Sequence, residues 1–238
     1  MNRTVLKKMD FSGQDLRGKD FSSMVIEECI FTGAILKGAS FSDSYVEECC
    51  FRKIWAEKAC FKNALIHQCS FDNSLMPNAD FKDAQIEHCV FDGSDASHSE
   101  FSGAFAAQVD FSSSVFCYSS FKKATVSHSD FSGSDLRHSD FISACTKGAS
   151  FFDCLVLGAK FDDVIYFSTP AGRAWVWPDY ACIGHRKMTL EAWNAMGSDG
   201  FSEIWPGDHG DYEEIMKAIN MIAKTIKSDQ CKNANLLG

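Results

Sequence analysis

SDFSGSDLRHSDF, residues 129–141, decides the fold: Phe131, Leu136 and Phe141 stand five residues apart, and a Ser sits two places before each. Working outward, Phe recurs at every tenth position from Phe11 to Phe161, with all sixteen positions filled and no insertion or deletion. Midway between runs a second series: Leu16, Ile26, Leu36, Val46, Ala56, Ile66, Met76, Ile86, Ala96, Ala106, Phe116, Val126, Leu136, Thr146, Val156 and Tyr166. The period is therefore five, with an almost always apolar residue at each centre. Two places before the centres, from Cys29 to Ala159, 25 of 27 positions hold Ala, Ser or Cys, with Ile54 and Val109 the exceptions.

A helix repeats every 3.6 residues and a strand every 2, so neither produces this pattern. One small and one large inward residue per five fit short straight edges joined by tight corners. Two places after a centre stand Gly13, Gly18, Gly33, Gly38, Gly93, Gly103, Gly133, Gly148 and Gly158, which are every Gly before residue 167. Elsewhere that slot often holds Asn, Asp or His, which tolerate left-handed backbone angles.

The units ADFKD (79–83), SDFSG (129–133), SDLRH (134–138) and GAKFDD (158–163) resemble the A(D/N)LXX repeat of the pentapeptide-repeat family. That resemblance implies an all-β solenoid, a right-handed quadrilateral β-helix of about eight coils, four pentapeptides to the coil. Phe then lies on two opposite faces and the other centres on the remaining two. Rings stacked at ~4.8 Å would fill the axis, and eight coils would make a rod of ~38 Å, close to one turn of duplex DNA. Ala96 and Ala106 fall in one coil, so packing should thin there, with Phe105 or a slight bend compensating.

The 238 residues carry a net charge of -9. An acidic chain is a poor nucleic-acid binder, because phosphate contacts need a basic stripe, but it can compete with nucleic acid for a protein. MNRTVLKKMD, residues 1–10, holds no long apolar run, so no secretory leader is expected. No stretch approaches the ~18 apolar residues of a membrane span. Eleven Cys without an export signal point to a reducing compartment, and the expected location is cytoplasmic, in a prokaryote or from a phage.

Cys29, Cys49, Cys69 and Cys89 would stack in the small inward slot, near enough by distance for a disulfide but readable as buried filler. No C-x-x-C pair exists, and no metal or cofactor is expected. His88 and His128, like His98 and His138, share a row two coils apart, which suits corners better than a shared metal. Asp10, Asp20, Asp80, Asp130 and Asp140 precede centres, where the family pattern places turn-bracing carboxylates. Phosphate-cradling loops, nucleophile elbows and H-E-x-x-H are absent from the sequence. His185 with Glu191 or Asp179 is the one set an enzyme reading could use, and nothing makes it convergent. The chain is expected not to be an enzyme.

With four units per coil, rows recur every twenty residues. One acidic set comprises Glu27, Glu28, Glu47, Glu48 and Glu87, interrupted by His67, Gln68 and His88. Apolar residues face outward in two rows, Ile35, Trp55 and Leu75 on one face and Val25, Tyr45, Leu65 and Phe105 on another. Lys62, Lys82, Lys122 and Lys123 occupy a third face.

The register ends near residue 168, which divides the chain into a β-helix, 4–168, and a C-terminal capping or oligomerisation module, 169–238. RAWVWPDYACIG (173–184) reads as one or two short strands, and MTLEAWNAM (188–196) as a short helix with Thr189 as its N-cap. A loop follows near 197–210. Asp211 and Glu214 resemble a capping box, and Ile215, Ile219, Ile222 and Ile226 form an apolar stripe on a helix over 212–227. The tail from Ser228 is expected to be loose. The stripe offers either a cap or a dimer contact, and a homodimer is expected.

Two function readings stay open. Members of the Qnr-type quinolone-resistance group engage DNA gyrase with an acidic rod of DNA-like width. The resemblance implies here a DNA-mimicking inhibitor or protector, acting on a DNA-handling protein such as a topoisomerase or a defence nuclease. Group members often carry loops projecting from the rod, and this chain has none between 11 and 161. The alternative is an interaction scaffold presenting the apolar rows or the C-terminal module to an unrelated protein. Both predict a protein partner, no direct nucleic acid and no membrane.

Overall fold

A computed structural model of the chain describes residues 3–162, 164–169, 172–177, 180–183, 186–204 and 212–234. The chain forms two compact units, Met1–Phe161 and Asp162–Gly238.

The first unit is a β-solenoid whose backbone partners are always twenty residues apart. β1 (Val5–Lys7), β2 (Val25–Glu27), β3 (Tyr45–Glu47), β4 (Leu65–His67), β5 (Gln85–Glu87) and β6 (Phe105–Ala107) form one parallel sheet in that order. The register pairs Val25 with Tyr45 and Tyr45 with Leu65. The remaining edges close through single bridges at the same offset, such as Asp10 to Ile30, Asp15 to Ile35 and Asp20 to Ser40. A twenty-residue coil of four five-residue units follows. Near the end, β7 (Asp140–Phe141) pairs with β8 (Lys160–Phe161).

The corners explain how so short a unit closes. Every fifth residue from Lys8 (φ 54) to Gly158 (φ 75) has a positive φ, without interruption. Many corners also carry a hydrogen bond from the amide three residues past the centre, as in Gln14 N to Phe11 O at 3.1 Å. This is the demand of a type II turn, which needs φ > 0 at its third residue. Glycine fills it without strain. Lys53, Glu48 and Tyr118 also occupy it, although a Cβ there costs about 1–2 kcal/mol. Each coil's amides bond the coils on either side, which pins the costly angle: Phe11 N donates to Ile30 O at 2.7 Å, and Ile30 N to Met9 O at 2.9 Å. The aspartates before the centres brace the same turns. Ser12 N donates to Asp10 at 2.8 Å, Ser22 N to Asp20 at 2.9 Å, Lys82 N to Asp80 at 2.9 Å, Ser132 N to Asp130 at 2.8 Å and Ile142 N to Asp140 at 3.1 Å.

Two Phe columns fill the axis. Phe51 stacks on Phe71 at 4.8 Å, Phe61 on Phe81 at 4.8 Å, and the columns meet edge to face, as in Phe61 on Phe71 at 5.7 Å. The small slot is buried beside them, and its polar members are satisfied. Ser74 Oγ donates to Phe51 O at 2.8 Å and accepts from Ile54 N at 3.2 Å. The cysteines play the same part: Cys49 Sγ donates to Ile26 O at 3.4 Å and accepts from Cys29 N at 3.3 Å. Cys29, Cys49, Cys69 and Cys89 are free, buried thiols. At the coil holding Ala96 and Ala106 the ladder does loosen, with Phe91 and Phe111 tilted by 36° at 5.2 Å. Phe105 does not fill that space, because it points outward and is exposed. Phe116 does, with its ring 5.9 Å from Phe101 and 5.3 Å from Phe111.

The second unit is a four-stranded antiparallel meander with two helices. β9 (Ile165–Thr169), β10 (Gly172–Val176), β11 (Tyr180–Ile183) and β12 (Arg186–Thr189) pair in sequence. The segment 173–184 thus supplies two strands, and its flanks supply two more. Tyr166, the last centre of the count, lies in β9 opposite Trp175. Residues 162–168, read from sequence as solenoid, therefore group with the second unit.

α1 (Leu190–Ile204) starts at Thr189, whose Oγ1 accepts from Ala192 N at 3.1 Å, the N-cap bond. It is interrupted at Gly197 (φ 70) and resumes, so residues 198–204, expected in a loop, are helical. α2 (Tyr212–Ala234) continues beyond Ser228, where a loose tail was expected; SDQCKNA (228–234) contains no Gly or Pro to stop it. Asp211 lies outside the described residues, as does the Glu214 side chain, and with them the expected capping box. One sheet face, through Ala174, Val176, Ala181 and Ile183, packs with Trp193, Ile215, Met216, Ile219 and Ala223. Trp193 Nε1 donates to Ala181 O at 2.9 Å, fixing α1 to the sheet.

Candidate functional site: the strand face of the solenoid

Each strand of β1–β6 turns its middle residue inward and its two flanking residues outward. Register stacks the first flanking residues as Val25, Tyr45, Leu65, Gln85 and Phe105, and the second as Glu27, Glu47, His67, Glu87 and Ala107. The acidic row and one apolar row, separate in the sequence reading, run side by side on the outward face of one sheet. Glu28 and Glu48 occupy the adjoining corner, each with a positive φ.

The charge is unevenly compensated. Lys7 lies 2.6 Å from Glu27 and 3.5 Å from Glu28, and Lys8 lies 3.3 Å from Glu28. The hydrogen bond to Glu27, and then its charge, hold the Lys7 ammonium above its ordinary pKa. The first two carboxylates therefore carry their own counter-ions. Glu47 faces His67 Nδ1 at 3.6 Å. Its interaction with the Tyr45 phenol, ahead of burial, holds the Tyr45 pKa above its ordinary value. The Glu48 and Glu87 side chains have no cationic partner among the described residues. Uncompensated negative charge is thus centred on β3–β5.

A depression of about 200 Å³ lies at that place, lined by Tyr45, Leu65, Ile66, His67, Gln85 and Glu87. Its floor is aliphatic, Tyr45 stands at one end, and Glu87 and His67 form the polar side. Against His67 the His88 ring packs edge-on at 5.6 Å.

The second apolar row runs on the solenoid face opposite the sheet, where bridges link Ile35 to Trp55 and Trp55 to Leu75. Trp55 is 45% exposed and Leu75 53%. Lys37 lies over the Trp55 ring at 5.6 Å and pairs with Glu57 at 2.7 Å, which partly covers the row. Sequence reasoning missed a third surface feature, a stack of His98, Tyr118 and His138 at 5.0 and 4.7 Å along one corner. The twenty-residue register alone could have revealed it.

The α2 stripe is taken up inside its own unit. Ile215, Ile219 and Ile226 are buried, and Ile222 packs against the same core. Ile215 and Ile219 thus pack in one core with the sheet residues Ala174, Val176, Ala181 and Ile183. Of the residues an enzyme would use, His185 and Asp179 lie outside the described residues, and Glu191 is exposed in the first turn of α1. Among the described residues no group of three or more His, Cys, Asp or Glu is placed to hold a metal, and no helix is long and apolar enough to cross a membrane.

A parallel solenoid of twenty-residue coils, with left-handed corners and a Phe-filled axis, defines a protein built from five-residue repeats. The sequence matches the family models for the pentapeptide repeat region at residues 25–101 and for pentapeptide repeats at 97–133 and 119–155. The chain belongs to the pentapeptide-repeat family. Similar solved structures include QnrB1, a plasmid-mediated fluoroquinolone resistance protein, at 18% identity, 67% of this chain, 91% of that chain and TM-score 0.34. HetL of Nostoc sp. strain PCC 7120, involved in heterocyst differentiation regulation, shares 12% identity over 66% of this chain and 86% of that one, TM-score 0.26. A pentapeptide repeat protein of the Arabidopsis thaliana thylakoid lumen shares 21% over 60% and 69%, TM-score 0.17. No curated protein matches the chain.

Proposed function

We propose that the chain is a non-catalytic protein-binding module whose strand face presents carboxylates to the basic surface of a DNA-handling protein, in place of DNA. The observation that carries this reading is the pair Glu48 and Glu87, without a cationic partner among the described residues, set beside Glu47, which faces only His67, and beside Glu27 and Glu28, which are held only by exposed lysines. Like charges about 5 Å apart in water repel by roughly 0.8 kcal/mol per pair, a standing cost that a cationic partner would relieve. Free, buried thiols in the Cys29–Cys89 column support a reducing compartment such as the cytoplasm.

The test is affinity capture from a bacterial lysate with elution by a salt gradient, using the Glu47→Lys/Glu87→Lys double variant as control bait. A topoisomerase, nuclease or other DNA-binding protein that elutes at moderate salt and is not retained by the variant supports the reading. Capture that is indifferent to salt and to both substitutions overturns it. That result would favour the scaffold reading, for which the specific observation is the exposed Trp55 and Leu75 on the opposite face.

A further inference from the structure

We propose that the depression between Tyr45 and Glu87 is the seat of one arginine side chain of the protein partner; this rests on the reading of the strand face given above. The backbone sets the mode of docking. β3, β4 and β5 each have a paired strand on both sides, so their N–H and C=O groups are committed and no partner strand can be added. Recognition at this place has to run through side chains.

The lining then selects the side chain. Leu65 and Ile66 offer an aliphatic floor, Tyr45 an aromatic wall, and Gln85 and Glu87 an amide and a carboxylate at the far end. Glu47 already faces His67 Nδ1 at 3.6 Å, whereas the Glu87 carboxylate has no ion-pair partner among the described residues. An occupant therefore needs an apolar stem that lies along Leu65 and a cationic tip that reaches Glu87. Both Lys and Arg have such stems. The guanidinium is planar, less strongly hydrated than an ammonium, stacks on aromatic faces and bonds a carboxylate through two parallel N–H groups. A seat that is half apolar and whose polar lining is Tyr45, the His67 imidazole, the Gln85 amide and one carboxylate favours it. At about 200 Å³ the space admits one long side chain and not a helix. A DNA-handling protein, with arginines that otherwise meet phosphates, supplies such groups.

The full chain, isotope-labelled, is titrated at low salt with N-acetyl-arginine amide and, in parallel, with N-acetyl-lysine amide, and followed by NMR. Saturable shifts centred on Tyr45, Leu65 and Ile66 are expected, with the lysine probe weaker by about threefold or more. Glu87→Gln should weaken the arginine probe about threefold, the scale of an exposed ion pair, while Glu27→Gln leaves it unchanged. Equal response to both probes, shifts spread evenly over all the glutamates, or no effect of Glu87→Gln overturns the seat. The titration is independent of any partner. A confirmed seat with salt-indifferent lysate capture sinks the functional reading alone. Capture that depends on Glu47 and Glu87, without saturation by arginine, sinks the seat alone.

Discussion

Replacing Gly158 by Ala, compared with Gly33 to Ala, separates the two reasons a corner holds glycine. Both have positive φ, 75° and 68°, so an added Cβ costs about 1–2 kcal/mol in each, less a few tenths regained because the unfolded chain becomes stiffer. At Gly33 the new methyl meets nothing within 4 Å, and the cost should end near 1 kcal/mol. At Gly158 it would enter the His138 imidazole, coming within 2.8 Å of Cε1. The ring has to leave, and with it goes the stack on Tyr118 at 4.7 Å. A stacked aromatic pair contributes about 0.5–1.5 kcal/mol, so Gly158→Ala should cost about 2 kcal/mol in all. The assay is urea unfolding followed by far-UV circular dichroism, completed as a double-mutant cycle with His138→Ala. In the His138→Ala background, Gly158→Ala should fall back to about 1 kcal/mol, the bare corner cost. Equal costs at the two glycines, or a coupling near zero, would refute the reasoning.

Other expectations follow from the same geometry. Ser74→Ala removes a hydroxyl that bonds both Phe51 O and Ile54 N, and should lower unfolding free energy by about 1 kcal/mol, whereas Ser74→Cys, a type used throughout this slot, should cost less. Phe71→Ala opens a void inside one ring column and against the edges of the other, and should cost about 3–5 kcal/mol, read as a drop in the urea midpoint; a loss below about 1 kcal/mol would mean the columns re-pack freely. Asp15 and Asp135 have carboxyl pKa values depressed by hydrogen bonds from the Arg17 and Arg137 side chains and amides. A depressed folded pKa stabilises above the unfolded value and loses that stability below it. Thermal stability should therefore be flat above the ordinary carboxyl value of 3.8 and fall as pH drops beneath it, more shallowly in Asp15→Asn/Asp135→Asn. Lys7→Ala/Lys8→Ala should leave the fold intact and strengthen partner capture at low salt, by releasing Glu27 and Glu28; unchanged capture would remove those carboxylates from the interface.

The sequence by itself determined the solenoid, because every contact that closes a coil is a repetition of the same local unit. Phe at every tenth position, the small slot and the corner glycines specify the i to i+5 relation, which a linear string displays directly, while the i to i+20 relation came from the family resemblance and is seen in the strand register. The bracing aspartates were legible for the same reason, since each acts within its own turn. The corner rule was only half visible. Lys, Glu, Gln, Ser and Tyr share the left-handed slot with glycine, held there by bonds to neighbouring coils and not by their own preference. Tertiary structure alone decided the rest. It showed that Lys7 and Lys8 pair with Glu27 and Glu28 while Glu48 and Glu87 have no cationic partner among the described residues, and that Phe116, not Phe105, fills the space beside Ala96 and Ala106. In the second unit no period exists to read. β9 and β12 form only because β10 and β11 offer them edges, and Ile215 and Ile219 of α2 are buried because they pack in one core with that sheet. Contacts between non-repeating segments depend on a geometry that forms only when the chain has folded.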